Sequence, residues 1–289
     1  MNLSDHFLQT LDARFGRYLE LFKTCRKEFS EEAIHDLRVA TRRLLAFTEL
    51  LNRFHSPSGY KKIRRTLKKR LDGFDELRDV QVMIRKVSEV QDRMPAVAPF
   101  WGAMKNREES LLEKAREQIQ KQKTDMLSKW FGGAARELRK QPDPEKFSAE
   151  LFRAADLAYA LVRRRYDRMS KAEASSIHRL RIAFKRFRYL MEMMAPLMPD
   201  FPPRILPDMH AYQTRLGDIQ DMEVLLTWLD HFYEAGGKGV RKYYLAAYAK
   251  AMDTYWTGRG CVKRFWRPRP DAPFFWNKPS GKGSTGETK

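Results

Sequence analysis

The run "IHDLRVATRR" occupies residues 34–43, and a close copy, "IHRLRIAFKR", returns at residues 177–186. Six of the ten positions are identical, at an offset of 143 residues. The likeness continues downstream. "LRDVQVMI" (77–84) matches "IQDMEVLL" (219–226) at an offset of 142, aligning Asp79 with Asp221 and Val82 with Val224. A basic helix followed by an acidic-apolar helix is therefore written twice, which points to a duplicated unit of about 140 residues rather than a solenoid of short repeats.

On a helix at ~100° per residue, His35, Arg38, Arg42 and Leu45 share one face, and Leu37, Ala40, Leu44, Phe47 and Leu51 share the opposite one. The second copy repeats this with His178, Arg181, Lys185 and Arg188 against Leu180, Ala183, Phe187, Leu190 and Met194. Arg43 and Arg186 flank the ladders. A solvated face normally mixes signs, because Glu–Lys pairs at i,i+4 add support. Here like charges stand at i, i+4 and i+7, which costs a few tenths of a kcal/mol per pair (~0.2–0.5). A repeating polyanion that meets one cation per turn of ~5.4 Å would offset that cost. Arg forks phosphate oxygens and Lys serves as a point charge. A protonated histidine donates from both nitrogens, but a structural role for His35 and His178 is an equal alternative. "KKIRRTLKKR" (61–70) adds seven cations in ten residues, with Lys61, Arg65 and Lys68 opposite the apolar Ile63 and Leu67. Its counterpart, "PRILPDMHAYQTRLG", is far poorer in cations, so an asymmetric surface is expected.

Helical periodicity dominates the whole chain and no period-two pattern stands out. The fold class read from it is all-α. Helices are expected from Ser4 as N-cap to about Arg26, over 31–54, from Ser56-Pro57 to about Asp72, and over 75–91. A long charged helix over 101–140, broken at Gly132-Gly133, follows. "QPDPEKF" (141–147) is a linker. Further helices are expected over 147–168, 173–197, 202–216, 219–233 and 238–256, with a turn at "GGKG" (236–239). The division is thus 1–140 and 145–257, two copies from an internal duplication, each with enough helices for a four-helix bundle whose short loops favour antiparallel neighbours. Residues 258–289 are basic, aromatic and rich in Pro and Gly. They suit a poorly ordered or surface-draped tail; the alternative is that the aromatic clusters pack on the bundle.

The 289 residues carry 56 Lys and Arg against 37 Asp and Glu, a net charge of +19. The excess is shared: 30 cations against 20 anions in residues 1–140, and 26 against 17 in the rest. Such a field attracts polyanions. No run approaches the ~18 apolar residues of a membrane helix, so no membrane partner is expected. The start "MNLSDHFLQTLDARF" lacks a basic stretch followed by an apolar one, which argues against a secretory signal. Cys25 and Cys261 fit no metal or redox spacing and suit free thiols in a reducing cytoplasm. No cofactor is expected, and neither histidine has the neighbours of a metal site.

His-x-x-Arg-(Val/Ile)-x-x-(Arg/Lys)-Arg followed by (Arg/Gln)-Asp-x-x-Val, all duplicated, resembles the CHAD family, the conserved histidine α-helical domain. The resemblance covers about residues 5–256. It implies two four-helix bundles related by a pseudo-twofold axis, their basic helices facing across a positively charged central groove or pore. It also implies binding of inorganic polyphosphate and association with polyphosphate granules. Carried over by position, His35, Arg38, Arg42 and Arg43 would line one wall, and His178, Arg181, Lys185, Arg186 and Arg188 the other. Arg78, from the Arg-Asp pair, joins the site, and Lys61, Arg65 and Lys68 extend it. The family pattern often places Gly before that pair. Asp75 occupies the neighbourhood in the first copy and Gly217 keeps it in the second, where Gln220-Asp221 replaces Arg78-Asp79.

Some family members carry a tunnel-type triphosphatase, which needs an ExExK strand; the sequence has none. "GKGST" (281–285) lacks the first glycine of a phosphate loop. Glu31-Glu32 and Glu108-Glu109 sit in charge-rich helical surroundings and read as surface. No catalytic residue is assigned, and a non-catalytic polyphosphate binder is the leading expectation. RNA binding through the same surface is the first alternative, with Tyr189, Trp266 and Trp276 as the candidates for stacking on bases. An enzyme acting on phosphate chains is the second.

Overall fold

The computed structural model describes residues 3–55, 58–140, 143–233 and 237–277, and the side chains of all of these except 3, 4, 54, 55 and 144. Among the described residues every regular element is helical. The α-helices are α1 (Leu3–Glu28), α2 (Glu31–His55), α3 (Tyr60–Asp72), α4 (Asp75–Ser88), α5 (Ala98–Lys121), α6 (Asp125–Arg139), α7 (Pro144–Asp167), α8 (Ala174–Met194), α9 (Ile205–Tyr233) and α10 (Lys238–Gly258). The all-α reading stands. The expected caps at Ser4 and Ser56-Pro57, the start of the linker at Gln141-Pro142, Gly236, and the residues after 277 lie outside the described side chains or residues.

Apolar periodicity explains the helices that form the core. Leu37, Ala40, Leu44, Phe47 and Leu51 of α2 are all buried, as are Leu180, Ala183, Phe187, Leu190 and Met194 of α8. Side-chain caps stand at the heads of α2 and α7. Ser30 Oγ accepts from Ala33 N at 3.1 Å at the head of α2. The Asp143 carboxylate accepts from Glu145 N and Lys146 N at the head of α7, filling donors that a helix start leaves open. α3 is entered through Gly59 in the left-handed region (φ 80°), where glycine carries no Cβ penalty.

Three expectations are corrected. The break in the long charged stretch falls at residues 122–124, where Gln122 turns extended (ψ 138°). Gly132 and Gly133 stay inside α6, and a Cβ at either would meet only Arg136. The helices expected over 202–216 and 219–233 are one continuous helix, α9. Gly217 sits within it, between the buried Leu216 and Ile219; one glycine costs a helix only ~1 kcal/mol, less than the burial of its neighbours returns. The surface-draped reading of the C-terminal stretch fails for its aromatic part. Val262, Phe265 and Trp266 are buried, and Trp266 is 1% exposed. Its ring meets Phe187 edge-on and Phe274 at 4.7 Å, and its indole N–H donates to Asp156 at 2.8 Å.

The two halves share one continuous core. α2 packs on α8, α4 on α9, and α1 on α7. Phe7 of α1 meets Phe147 of α7 edge-on at 4.8 Å, and His6 Nε2 lies 3.3 Å from the Met193 carbonyl of α8. Tyr244 of α10 donates to the Lys86 carbonyl of α4 at 3.2 Å.

Candidate functional site

The two repeated basic helices, α2 and α8, meet where α4 and α9 also pack on each other. Their cations converge there. Around the Lys185 ammonium stand Arg42, Arg181, Arg38 and Arg78, so one cluster draws on α2, α4 and α8. Three carboxylates face it. Asp75 takes a 2.8 Å bond from Arg38. Asp221 receives both terminal nitrogens of Arg78 at 3.3 Å, across the junction between the halves. Asp79 lies 3.6 Å from Arg78, and burial pushes its carboxyl above the ordinary range. With Lys185 protonated, five cations against three carboxylates leave an excess of two positive charges.

The excess has a location. Arg38 and Arg78 are committed to Asp75 and Asp221. Arg42 lies 3.9 Å from Asp75, too far for a hydrogen bond. Arg181 and Lys185 donate no hydrogen bond and form no ion pair among the described residues. Burial first, then Arg42 and Arg181, push the Lys185 ammonium from 10.5 down to about 7, as desolvation beside like charges should. A polyanion placed here would meet three cations without bonded partners.

The structure corrects the ladder as read from the helical wheel. Arg38 is 3% exposed and donates to the Leu71 carbonyl at 3.1 Å as well as to Asp75. It fastens α2 to the α3–α4 turn and is not a wall residue. The reason is the break at Gly73-Phe74, which ends α3 and brings both the Leu71 carbonyl and Asp75 within reach. In the second half α9 runs on unbroken, and Gly217 stands where Asp75 does. Arg181 therefore lacks the two partners that hold Arg38. The asymmetry expected from α3 arises at this turn as well.

Other assigned residues scatter. Arg188, 11% exposed, is bound to Glu192 at 2.6 Å and Gln213 at 2.8 Å and lies over Tyr189. Arg43 reaches the same Glu192 at 3.6 Å, while its carbonyl accepts from Arg14 at 3.1 Å. Arg43 and Arg188 thus belong to a second, partly neutralised group; the i,i+4 spacing of Arg188 and Glu192 marks half of it in the sequence, and the approach of Arg43 is long-range. Arg186 is exposed and unpaired among the described residues. Lys61, Arg65 and Lys68 are exposed on α3 without ion pairs among the described residues, and are not among the groups acting most strongly on Lys185. His35 is exposed without a partner among the described residues. His178 Nδ1 donates to Gln220 Oε1, which leaves Nε2 free to face solvent or a ligand.

Among the described residues no group of three or more His, Cys, Asp or Glu side chains is arranged to share a metal ion. No described helix is long and apolar enough to cross a membrane. Cys25 is buried and Cys261 partly buried, both as free thiols.

Comparison with known proteins agrees with this architecture. The crystal structure of the CHAD domain from the plant Ricinus communis superposes with a TM-score of 0.65 at 18% identity, covering 92% of this chain and 90% of that one. PptA from Streptomyces chartreusis superposes with a TM-score of 0.60 at 14% identity, covering 92% and 99%. No curated protein sequence matches. The CHAD domain family profile matches residues 9–230, a span that holds both copies of the basic-helix motif, and the chain therefore belongs to the CHAD family.

Proposed function

We propose that this chain is a non-catalytic binding module for inorganic polyphosphate, and that it works at polyphosphate granules. The observation that carries the reading is the trio of Arg42, Arg181 and Lys185, whose side chains have no hydrogen-bonded partner among the described residues and which are held together from both halves at the α2–α8 junction. Burying like charges is costly, and a chain of phosphates supplies the missing anions at a spacing that successive cations can follow. The three nearby carboxylates each lie within 4.0 Å of an arginine. They serve to position guanidinium groups and are given no proton-transfer role.

One feature favours polyphosphate over RNA. Tyr189 and Trp266, two of the three aromatic candidates for stacking on bases, are buried, and Trp276 is packed face to face on Phe274 at 4.6 Å. Loose stacking platforms are what single-stranded nucleic acid requires. The test is a titration with long-chain polyphosphate and with RNA of equal charge at one salt concentration, assaying released phosphate in the same mixtures. Preferential binding of polyphosphate without release is expected. Equal RNA affinity would refute the selectivity, and phosphate release would refute the non-catalytic role.

Lys185 adds a pH signature. In the free protein it is largely neutral at pH 8, since its ammonium is held down at about 7. A bound polyanion favours the charged form, so binding at pH 8 should take up a proton. Calorimetry in two buffers of different ionisation enthalpy should show close to one proton absorbed, and none in Lys185→Met. Affinity should accordingly weaken between pH 7 and 9, by up to about tenfold per unit. For folding the sign is opposite. The unfolded lysine keeps its proton to about 10.5 while the folded one loses it near 7, so this group's contribution to stability rises with pH across that window.

A further inference from the structure

A cavity lies apart from the cation cluster, at the start of α9. The first turns of α9, the end of α10 and the 3-10 segment Arg259–Arg264 enclose a cavity of about 410 Å³. That is within the ~300–1,000 Å³ range of small-molecule sites. Three arginines line it: Arg204 and Arg215 from the α9 side, and Arg264 from the 3-10 segment. None of their side chains forms a hydrogen bond or ion pair with the protein among the described residues. Asp208 is the single carboxylate on the lining. Cys261 senses Arg215, Asp208 and Arg264 together, so these charges share one neighbourhood. Gly258 lets α10 approach closely, since a Cβ there would sit 3.1 Å from the Arg215 guanidinium.

The remaining walls are apolar. Ile205, Tyr212 and Phe265 are buried behind the cavity, and Phe275, 36% exposed, stands at its edge. Three guanidiniums against one carboxylate leave two positive charges, the complement of a phosphate monoester at neutral pH (about −1.5 to −2). Arginines fork phosphate oxygens, and an aromatic edge offers a face to a flat ring. Bare phosphate would leave the apolar wall uncovered, and an apolar ligand would leave the arginines unmatched. Arg215 and Asp221 are six residues apart on α9, about 9 Å along the axis and on different faces, so the cavity is distinct from the cluster that Asp221 joins.

We propose that this cavity binds a small organic phosphate with an aromatic ring, of the nucleotide class, with its phosphate between Arg204, Arg215 and Arg264 and its ring against Phe275. The chain carries its own reporter, because Cys261 lines the cavity while the other cysteine, Cys25, is buried. The full-length protein would be alkylated with N-ethylmaleimide at pH 8, with adenosine monophosphate, inorganic phosphate or no addition, and Cys261 modification followed by mass spectrometry. The nucleotide should slow Cys261 alkylation at least about fivefold, and inorganic phosphate at equal concentration should do so much less. Arg215→Gln and, separately, Arg264→Gln should abolish protection, whereas Arg42→Gln with Lys185→Gln should preserve it. Equilibrium dialysis with labelled nucleotide gives a readout independent of thiol reactivity and should show one site. Absence of nucleotide binding in dialysis at millimolar concentration would overturn the proposal. Equal protection by inorganic phosphate would overturn the assigned class, and loss of protection in the Arg42/Lys185 variant would show that the ligand sits in the central cluster instead.

Discussion

Replacing Trp266 with alanine is expected to destabilise the protein by about 3–5 kcal/mol, the range for truncating a buried aromatic. The side chain is almost wholly enclosed by Phe152, Phe187, Phe274 and Trp276. Its indole also shares Asp156 with Arg267, whose two bonds to that carboxylate are 2.8 and 2.6 Å. Removing the ring therefore opens a cavity and leaves a partly buried carboxylate one donor short. Chemical denaturation should show the full loss in Trp266→Ala and a smaller one, about 1–2 kcal/mol, in Trp266→Phe, where the ring is kept and the hydrogen bond is not. A Trp266→Ala protein as stable as the parent would mean that the segment after α10 is not part of the core.

The second large effect separates two arginines one helical turn apart. Arg38→Met should cost about 2–3 kcal/mol, because a buried charge-assisted donor is lost and the Leu71 carbonyl is left short of a partner. Arg42→Met should change stability by no more than about 0.5 kcal/mol, since Arg42 is 23% exposed and 3.9 Å from its nearest carboxylate. Asp75 itself is 55% exposed, so Asp75→Asn should fall between the two, its ion pair being screened by solvent. For the proposed polyphosphate binding the ranking between the arginines is expected to reverse: Arg42→Met should be the damaging change, and Arg38→Met should act only through the fold. Equal stability losses in the two arginine variants would contradict the assignment of Arg38 as a fastener between helices.

The sequence already held much of this. The two basic runs, their apolar faces and the pairing of Arg78-Asp79 with Gln220-Asp221 were legible, because helical periodicity and an internal copy are local signals. Three members of the central cluster, Arg42, Arg181 and Lys185, were named from the sequence with the role in which they are proposed to act, whereas Arg78 is committed to Asp221. What was not legible depended on where helices stop. Arg38 and Arg181 occupy equivalent places in the repeat, yet one is buried and doubly bonded and the other is left unpaired. The cause is a break after α3 that α9 lacks, together with the exchange of Asp75 for Gly217. That exchange could be seen in the sequence, but its meaning required the Leu71 carbonyl to be placed against Arg38. Glu192 shows the same limit in part: its pairing with Arg188 is an i,i+4 spacing within α8, but the approach of Arg43 from α2 is a long-range contact that no spacing rule connects. The composition of residues 259–277 pointed away from a core role because proline and glycine dilute the aromatics. Burial there comes from a few rings in long-range contact, a signal that has no period.

Arg42, Arg181 and Lys185 are the proposed place where a phosphate chain binds. The most direct test compares the triple variant Arg42→Gln, Arg181→Gln, Lys185→Gln with the parent in polyphosphate titrations at several salt concentrations. A second triple variant at Lys61, Arg65 and Lys68 controls for loss of charge alone. The central variant should lose about 100-fold or more in affinity, with a salt dependence shallower by about two to three counterions, and should fold at least as stably, because like charges have been removed. The α3 variant should lose clearly less. If the central variant binds polyphosphate as the parent does, with the same salt dependence, the cluster is not the binding site.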